Sequence, residues 1–156
     1  MDEQTYLQRI SDCERSLYRV SRSILWNDMD SADAVQQAVF KGWINRRQLR
    51  SAEKFQSWIM SILVNECRNL QRRKLRQANI VGALENKLRV EKNVAKNEAL
   101  EEALRELPEH YRLPVVLHYM EGYSIRDIAS ILGITENRVT ERMYRARRKL
   151  EEALKL

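Results

Sequence analysis

The chain has 156 residues, a formal net charge of +6, 44% hydrophobic residues, four glycines and two prolines. That length holds one ordinary domain or two small ones with cores of their own. Strand-like alternation never runs beyond a few residues, so the expected fold class is all-α, with two small helical domains. The placement of charge says more than its total. Residues 61–79 hold five basic side chains and one acidic, and residues 135–156 hold seven and four, whereas residues 80–107 hold five and six. Two basic patches with a near-neutral spacer suggest two contacts on one long polyanion, although generic surface lysines also make proteins basic. Cys13 and Cys67 lack C-x-x-C spacing and read as buried thiols of a reducing compartment. The first residues, MDEQTYLQRISD, show no basic region followed by an apolar run, and no apolar stretch approaches the ~20 residues of a membrane span. A cytoplasmic chain without membrane insertion is therefore expected.

In chain order, the first helix is predicted from about Glu3 to Trp26, with Ile10, Cys13, Leu17, Val20 and Ile24 on one seam. Asn27 and Asp28 end it, and a second helix is expected from Ser31, with Asp28, Asp30 and Asp33 near its positive end. Its inward face is predicted to be Val35, Ala38, Val39 and Trp43, with Gln36, Gln37, Phe40 and Lys41 to the side. Residues 44–54 read as a polar, basic loop. A third helix is expected from Phe55 to about Arg76, with Phe55, Trp58, Ile59, Ile62, Leu63 and Leu70 inward and Asn65, Arg68, Arg72, Arg73 and Arg76 largely off that stripe. These three helices make a first domain, residues 1–76. Residues 77–97, where apolar spacing loosens, are the expected linker, and residues 98–156 the second domain. There Leu100, Ala103, Leu104 and Leu107 repeat helically, and Pro108 sits at the first position of a helix, where its missing N–H costs nothing. That helix carries Tyr111, Val115, Leu117, His118 and Met120 to Gly122, with a mild kink expected at Pro114.

The segment Ser124–Leu150 has the shape of a helix-turn-helix DNA reader. Ser124 and Asp127 form a capping box, and Ile125, Ile128, Ala129 and Leu132 make one apolar stripe. Gly133 supplies the left-handed C-terminal cap, Ile134 plugs the angle between the helices, and Thr135 caps the second helix. In that helix Val139, Met143, Ala146 and Leu150 face inward. Asn137, Glu141, Tyr144, Arg145 and Arg148 fall opposite, flanked by Arg138, Arg142, Arg147 and Lys149. Such a front suits a major groove, where Arg pairs with guanine, Asn with adenine and Glu with cytosine. The alternative is a solvated, charged helix on a small bundle. Arg147, Arg148 and Lys149 also suit phosphates rather than bases.

Chemistry of other kinds has no sequence signal. His110 and His118 have no carboxylate or Cys at ligand spacing, so no metal site is expected. No phosphate-cradling Gly-rich loop, nucleophile with an adjacent base or carboxylate pair is present. Neither catalysis nor a cofactor is expected.

The order of motifs resembles a small two-domain bacterial RNA polymerase sigma factor of the extracytoplasmic-function group of the sigma-70 family. Asp33, Val35, Gln36, Gln37, Phe40 and Trp43 follow its D-x-V-Q-E-x-F-x-x-x-W pattern with one extra residue between Gln37 and Phe40. Phe55, Trp58, Ile59, Ile62 and Asn65 follow F-x-x-W-[LI]-x-x-I-x-x-N. Leu107–Arg112 resembles L-P-x-x-[YH]-R. Glu121–Ile134, with Val139, resembles E-G-x-S-x-x-[ED]-I-A-x-x-L-G-I-x-x-x-x-V, and Arg145–Leu150 resembles R-A-R-x-x-L. The resemblance implies a transcription initiation factor that carries core RNA polymerase to promoters. Asp33, Gln36 and Gln37 would bind the clamp helices of the largest subunit, with the flap as a further polymerase contact; Phe40 divides between core packing and that interface. The loop 46–54 and the start of the third helix would capture an unpaired base of the −10 element, with Asn65 near the pocket and Arg68, Arg72 and Arg73 on the backbone. The −35 element would be read by the last helix, with Asn137, Arg138 and Arg148 beside the family's contact positions Thr140, Glu141, Arg142, Tyr144, Arg145 and Arg147. The family commonly has Glu at the Gln37 position, Lys or Arg at Thr140 and Ser at Glu141. Its members are usually held inactive by an anti-sigma factor. Trp43 and Trp58 read as core residues rather than melting wedges. The competing reading is a stand-alone helix-turn-helix regulator that binds an operator as a dimer.

Overall fold

Asp2 starts the first helix: its carboxylate accepts the N–H of Thr5 at 2.8 Å, satisfying one of the amides a helix start leaves open. The molecule, a computed structural model describing residues 1–81 and 98–155, is helical from there on, with no strand among the described residues. Helix α1 (Glu3–Leu25) buries Tyr6, Ile10, Cys13, Leu17, Val20 and Ile24, the predicted seam with Tyr6 added one turn earlier. It ends at Trp26, which takes a left-handed conformation (φ 56°) and returns its N–H to the carbonyl of Arg22 at 2.9 Å.

Helix α2 (Asp28–Ile44) begins three residues earlier than the charge pattern suggests, because the Asn27 side chain caps it by accepting the N–H of Asp30 at 3.0 Å. Its inward face differs in part from expectation: of the four predicted positions Ala38 is buried and the other three are not. Ser31, Ala34, Ala38 and Gly42 are the buried positions, while Val35, Val39 and Trp43 are half-buried on the flanks. Small side chains here let α2 lie close to its neighbours; the larger apolar residues then close the seams on either side. The buried hydroxyls are satisfied, Ser31 donating to the carbonyl of Asn27 and Ser21 to that of Ser31.

Two single 3-10 turns, Arg46–Gln48 and Ala52–Lys54, lead into α3 (Phe55–Val81), which runs past the expected end at Arg76. Residues 82–97, most of the expected linker, lie outside the described residues. Phe55, Ile59, Met60, Leu63, Val64 and Cys67 are buried, whereas Trp58, Ile62 and Leu70 are half-buried at the margins. Burial pushes the Cys13 thiol up to about 11 and the Tyr6 hydroxyl up to about 12. The Cys13 thiol therefore stays protonated near neutrality and behaves as a small apolar core residue.

Contacts divide the chain into two units, Met1–Glu91 and Lys92–Leu156. The second contains α4 (Glu98–Glu106), α5 (Glu109–Val115), α6 (Ile125–Leu132) and α7 (Glu136–Leu154). Pro108 is the N-cap of α5 rather than its first residue, with extended backbone (ψ 143°). Arg112 is buried and donates to the carbonyls of Leu107, at 2.8 Å, and Arg105, at 3.4 Å, so it closes the C-terminal end of α4. After Pro114, which has no amide to donate, the helix widens into a π-type turn over Val116–Met120 instead of merely bending. Glu121 donates to Val116 there at 3.1 Å, and Gly122 (φ 79°) leaves the helix. Leu104, Leu107, Val115 and Ala146 form a core cluster, packed on by Leu100, Tyr111 and Leu150.

Gly42 is the position where the first unit leaves least room. A Cβ there would stand 2.5 Å from the Tyr6 hydroxyl and 2.6 Å from Ile59 Cδ1. Gly42→Ala is expected to destabilise the protein by about 1–3 kcal/mol, the usual cost of overpacking, despite alanine's better helix propensity. Denaturant unfolding monitored by circular dichroism checks this, and an unchanged midpoint would contradict it.

Candidate nucleic-acid interface

Three local bonds fix the α6–turn–α7 segment. Ser124 Oγ accepts the N–H of Asp127 at 3.1 Å, the N–H of Ile134 reaches the carbonyl of Ala129 at 3.0 Å, and Thr135 Oγ1 accepts the N–H of Arg138 at 3.1 Å. Gly133, at φ 67°, makes the left-handed exit from α6 that a side chain would strain. Two stripes face inward, Ile128, Ala129, Ile131 and Leu132 on α6 and Val139, Met143 and Ala146 on α7. Ile125 is only half-buried, and Ile131 takes a buried place that the sequence pattern does not assign to it.

With that back fixed, Asn137, Arg138, Thr140, Glu141, Tyr144, Arg145, Arg147 and Arg148 are all exposed, and Arg142 is half-buried. The face is partly self-paired. Arg145 forms an i,i+4 ion pair with Glu141 at 3.1 Å. Arg148 donates to the Tyr144 hydroxyl at 3.2 Å, with its guanidinium 5.8 Å from the ring centre. Thr140 returns its hydroxyl to the carbonyl of Glu136 at 3.1 Å. Arg147 donates to the hydroxyl of Tyr119 at 3.4 Å, joining the π-type turn to the face. Sequence reasoning missed Tyr119, which is 28 residues away and carries no periodic signal. Chemically the face offers guanidinium forks, an amide and a carboxylate on one rigid helix, a set that suits base edges and phosphates.

On the first unit, α3 carries Asn65, Arg72 and Arg73 exposed and Arg68 half-buried. Arg72 and Arg73 line an open groove of about 350 Å³ between α2 and α3 with Gln37, Lys41, Glu66, Asn69 and Arg76. Glu66 is buried in its wall and ion-paired to Lys41, so the one carboxylate among the lining residues is neutralised. Lys74 is likewise paired to Asp30. Asn69 and Arg76 join Arg72 and Arg73 in this groove at i,i+3 and i,i+4 spacing; the sequence pattern places Arg76 off the apolar stripe but marks neither residue as part of a site.

The four residues assigned to polymerase binding, Asp33, Gln36, Gln37 and Phe40, are all exposed on the side of α2 opposite its small-residue stripe. They do not border one site. Asp33 and Gln36 border a groove of about 960 Å³ between α1 and α2, whose apolar walls include Leu7, Val35 and Val39. Gln37 borders the cationic groove with α3, and Phe40 points to solvent at 61% exposure, which removes the core alternative for it. Among the described residues no three His, Cys, Asp or Glu side chains gather as metal ligands, and no helix is long and apolar enough to cross a membrane.

Residues 10–77 match the Sigma-70 region 2 family and residues 97–150 the Sigma-70 region 4 family. The RNA polymerase sigma factor SigV of Bacillus subtilis is 30% identical over 139 residues, covering 88% of this chain and 83% of that protein. The ECF RNA polymerase sigma factor SigM of Mycobacterium tuberculosis is 34% identical over 143 residues, covering 90% and 72%. Among solved structures, the sigma factor RpoE of Bartonella quintana, crystallised with the anti-sigma factor NepR, shares the fold at TM-score 0.85 with 22% identity over 98% of both chains.

The Glu141–Arg145 pair yields a prediction independent of any base contact. Glu141→Ala removes a carboxylate from the face and frees a guanidinium for phosphate. Affinity for non-specific duplex is expected to rise and its salt dependence to steepen, by up to about one counterion's worth of slope in log K against log salt. An unchanged slope by fluorescence anisotropy would mean that Arg145 gains no phosphate contact when Glu141 is removed.

Proposed function

The chain belongs to the sigma-70 family, in its extracytoplasmic-function group, and on that premise we propose how its residues divide the work of a factor that brings core RNA polymerase to promoters. The observation that carries the division is one exposed cationic face on each of two separate units, each inside its own family match. A regulator acting through residues 124–150 alone would leave the match over 10–77 without a role.

Residues 1–76 form the domain that binds core polymerase and the −10 element, residues 77–97 link, and residues 98–156 bind the −35 element. The outward side of α2, with Asp33, Gln36, Gln37 and Phe40, docks on the clamp helices. Its apolar groove beside α1 offers desolvated contact area, and the Asp33 carboxylate at its edge supplies direction. Gln37 replaces a charge with an amide, so it contributes hydrogen bonds rather than long-range attraction. Arg68, Arg72 and Arg73 hold single-stranded backbone beside the unpaired base, with Asn65 near the pocket. The exposed front of α7 enters the major groove of the −35 element. Thr140 is back-bonded to its own helix and Glu141 engaged by Arg145, so sequence preference at these two positions departs from relatives that carry Lys or Arg and Ser there. Such a factor works by binding and placement; the chemistry of transcription is the polymerase's, and the place of action is the cytoplasm, where polymerase and promoter DNA meet. The RpoE relative's complex with NepR supports an anti-sigma partner for this chain as well.

The direct test adds the purified chain to core polymerase on genomic templates. Transcripts with discrete starts downstream of shared −35 and −10 sequences are expected, and the absence of promoter-specific transcription on every template would refute the reading. Within it, Arg145→Ala is expected to cost about 1–3 kcal/mol on the matched −35 site and less on scrambled sequence; equal losses on both would make it a phosphate contact. Asp33→Ala should weaken core polymerase binding in a pull-down titration while transcription at saturating factor keeps its promoter preference. Unaltered core affinity would remove Asp33 from the interface.

A further inference from the structure

The loop between α2 and α3 carries Arg46, Arg47, Arg50 and Lys54 against a single carboxylate, Glu53. Its two short turns are joined through Leu49 and Ser51 in extended conformation, with ψ 115° and 133°. Each end is tied, and in different ways. The near end is tied locally: the Arg46 guanidinium lies 3.8 Å from the centre of the Trp43 ring and donates to the Trp43 carbonyl at 2.9 Å. The far end is tied from another helix. Arg9 of α1 donates Nη1 to the carbonyl of Ala52 at 3.0 Å, and its guanidinium stands 5.7 Å from the Phe55 ring centre. The Ala52 carbonyl also accepts the N–H of Phe55, so it is the joint between the loop and α3. Tyr6, three residues before Arg9 and on the same side of α1, packs edge-on to Phe55 at 5.8 Å and tilted to Trp43 at 5.3 Å between ring centres. The joint is thus backed by the buried rings of Tyr6 and Phe55.

We propose that Arg9 is a positioning residue for recognition of the −10 element: it braces the Ala52 joint so that the loop meets an unpaired base already in its reading shape. The inference rests on the reading of residues 46–54 as the segment that takes that base. The physical reason is pre-organisation. Selecting one base over another requires loop donors and acceptors at fixed positions, and a loop that must be ordered on binding spends part of the contact energy on its own ordering. Arg9 supplies a charge-assisted hydrogen bond to a backbone carbonyl from a rigid helix, which fixes position without itself touching the base.

The test uses the full chain bound to core polymerase and two probes. One is a forked promoter fragment with an unpaired −10 strand, matched or scrambled; the other is a duplex carrying the −35 element alone. Arg9→Ala is expected to weaken matched forked binding about tenfold, the loss of one charge-assisted bond, and to bring the matched-to-scrambled ratio towards one. Binding to the −35 duplex and the thermal unfolding midpoint should stay as in the parent. Arg9→Lys, which keeps a donor and a cation over the ring, should restore most of the ratio. An unchanged ratio in Arg9→Ala, equal losses on matched and scrambled forks, or a parallel loss on the −35 duplex would each overturn the proposal. The paired variant Arg47→Ala with Arg50→Ala separates the two levels. If it lowers the ratio and Arg9→Ala does not, only the brace falls; if neither lowers it, the loop does not read the element and both readings fall.

Discussion

The contact on which the first unit depends is the passage of Tyr6 over Gly42. A glycine inside α2, here in its last turn, is costly for the helix itself. Here it leaves room for the Tyr6 hydroxyl to reach the carbonyl of Val39 and for Ile59 of α3 to close in from the other side. The Tyr6 ring then reaches both Trp43, at the end of α2, and Phe55, at the start of α3. One small residue thus lets one large residue hold together the two ends between which the basic loop is strung. The two ends of the loop are thereby set by core packing, while Arg47, Arg50 and Lys54 are exposed along it.

Legibility in the sequence followed the size of the side chains. The α1 seam of Ile, Cys, Leu and Val at helical steps is buried as the spacing predicts, and so are Val139, Met143 and Ala146 on α7, with Leu150 half-buried at the end of that stripe. The caps at Ser124, Gly133 and Thr135 were equally plain, because each depends on a residue type suited to a local backbone need. The α2 face was misjudged for the converse reason. Beyond Ala38, which is buried as predicted, a preference for large apolar residues selects Val35, Val39 and Trp43, whereas the helix packs through Ser31, Ala34, Ala38 and Gly42, whose small size is the property in use. In the candidate site, outward placement of the basic residues could be read from periodicity. Their partners could be read only when local: Arg145 with Glu141 is an i,i+4 pair, but Arg147 with Tyr119 and Arg9 with Ala52 cross between elements. Contacts of that kind depend on where the chain returns, which no periodicity records.

The two cationic faces manage their acids differently, and the difference bears on what each is for. In the α2–α3 groove Glu66 is buried and held by Lys41 of the last turn of α2, and at the start of α2 Lys74 holds Asp30. Those carboxylates are structural partners already used, and they leave Arg72, Arg73 and Arg76 as the groove's charge. Such a surface attracts phosphate with little regard to sequence, as a backbone track should. On α7 the acid is exposed: Glu141 and Arg145 are about equally open to solvent, at 61% and 59%. An exposed pair of this kind is worth little to stability. Its members can exchange each other for other partners at small cost, which suits a surface that must accept some base edges and refuse others.

Separating the faces onto two units also changes how strongly each must bind. On the division of work proposed above, polymerase holds the first unit and the second meets its own stretch of the same DNA at an effective concentration set by the connection between them, so neither face needs high affinity alone. A strong free-standing affinity on α7 would in fact be a disadvantage, drawing the factor to isolated −35-like sequences throughout the genome. The Glu141–Arg145 and Tyr144–Arg148 pairings limit that affinity by occupying cations that phosphates would otherwise take. Self-pairing on the recognition helix and a run of arginines on α3 whose neighbouring acids are held by lysines are therefore two sides of one arrangement. On the proposed division, sequence choice sits where contacts are exchangeable, and backbone grip sits where the acids are already engaged.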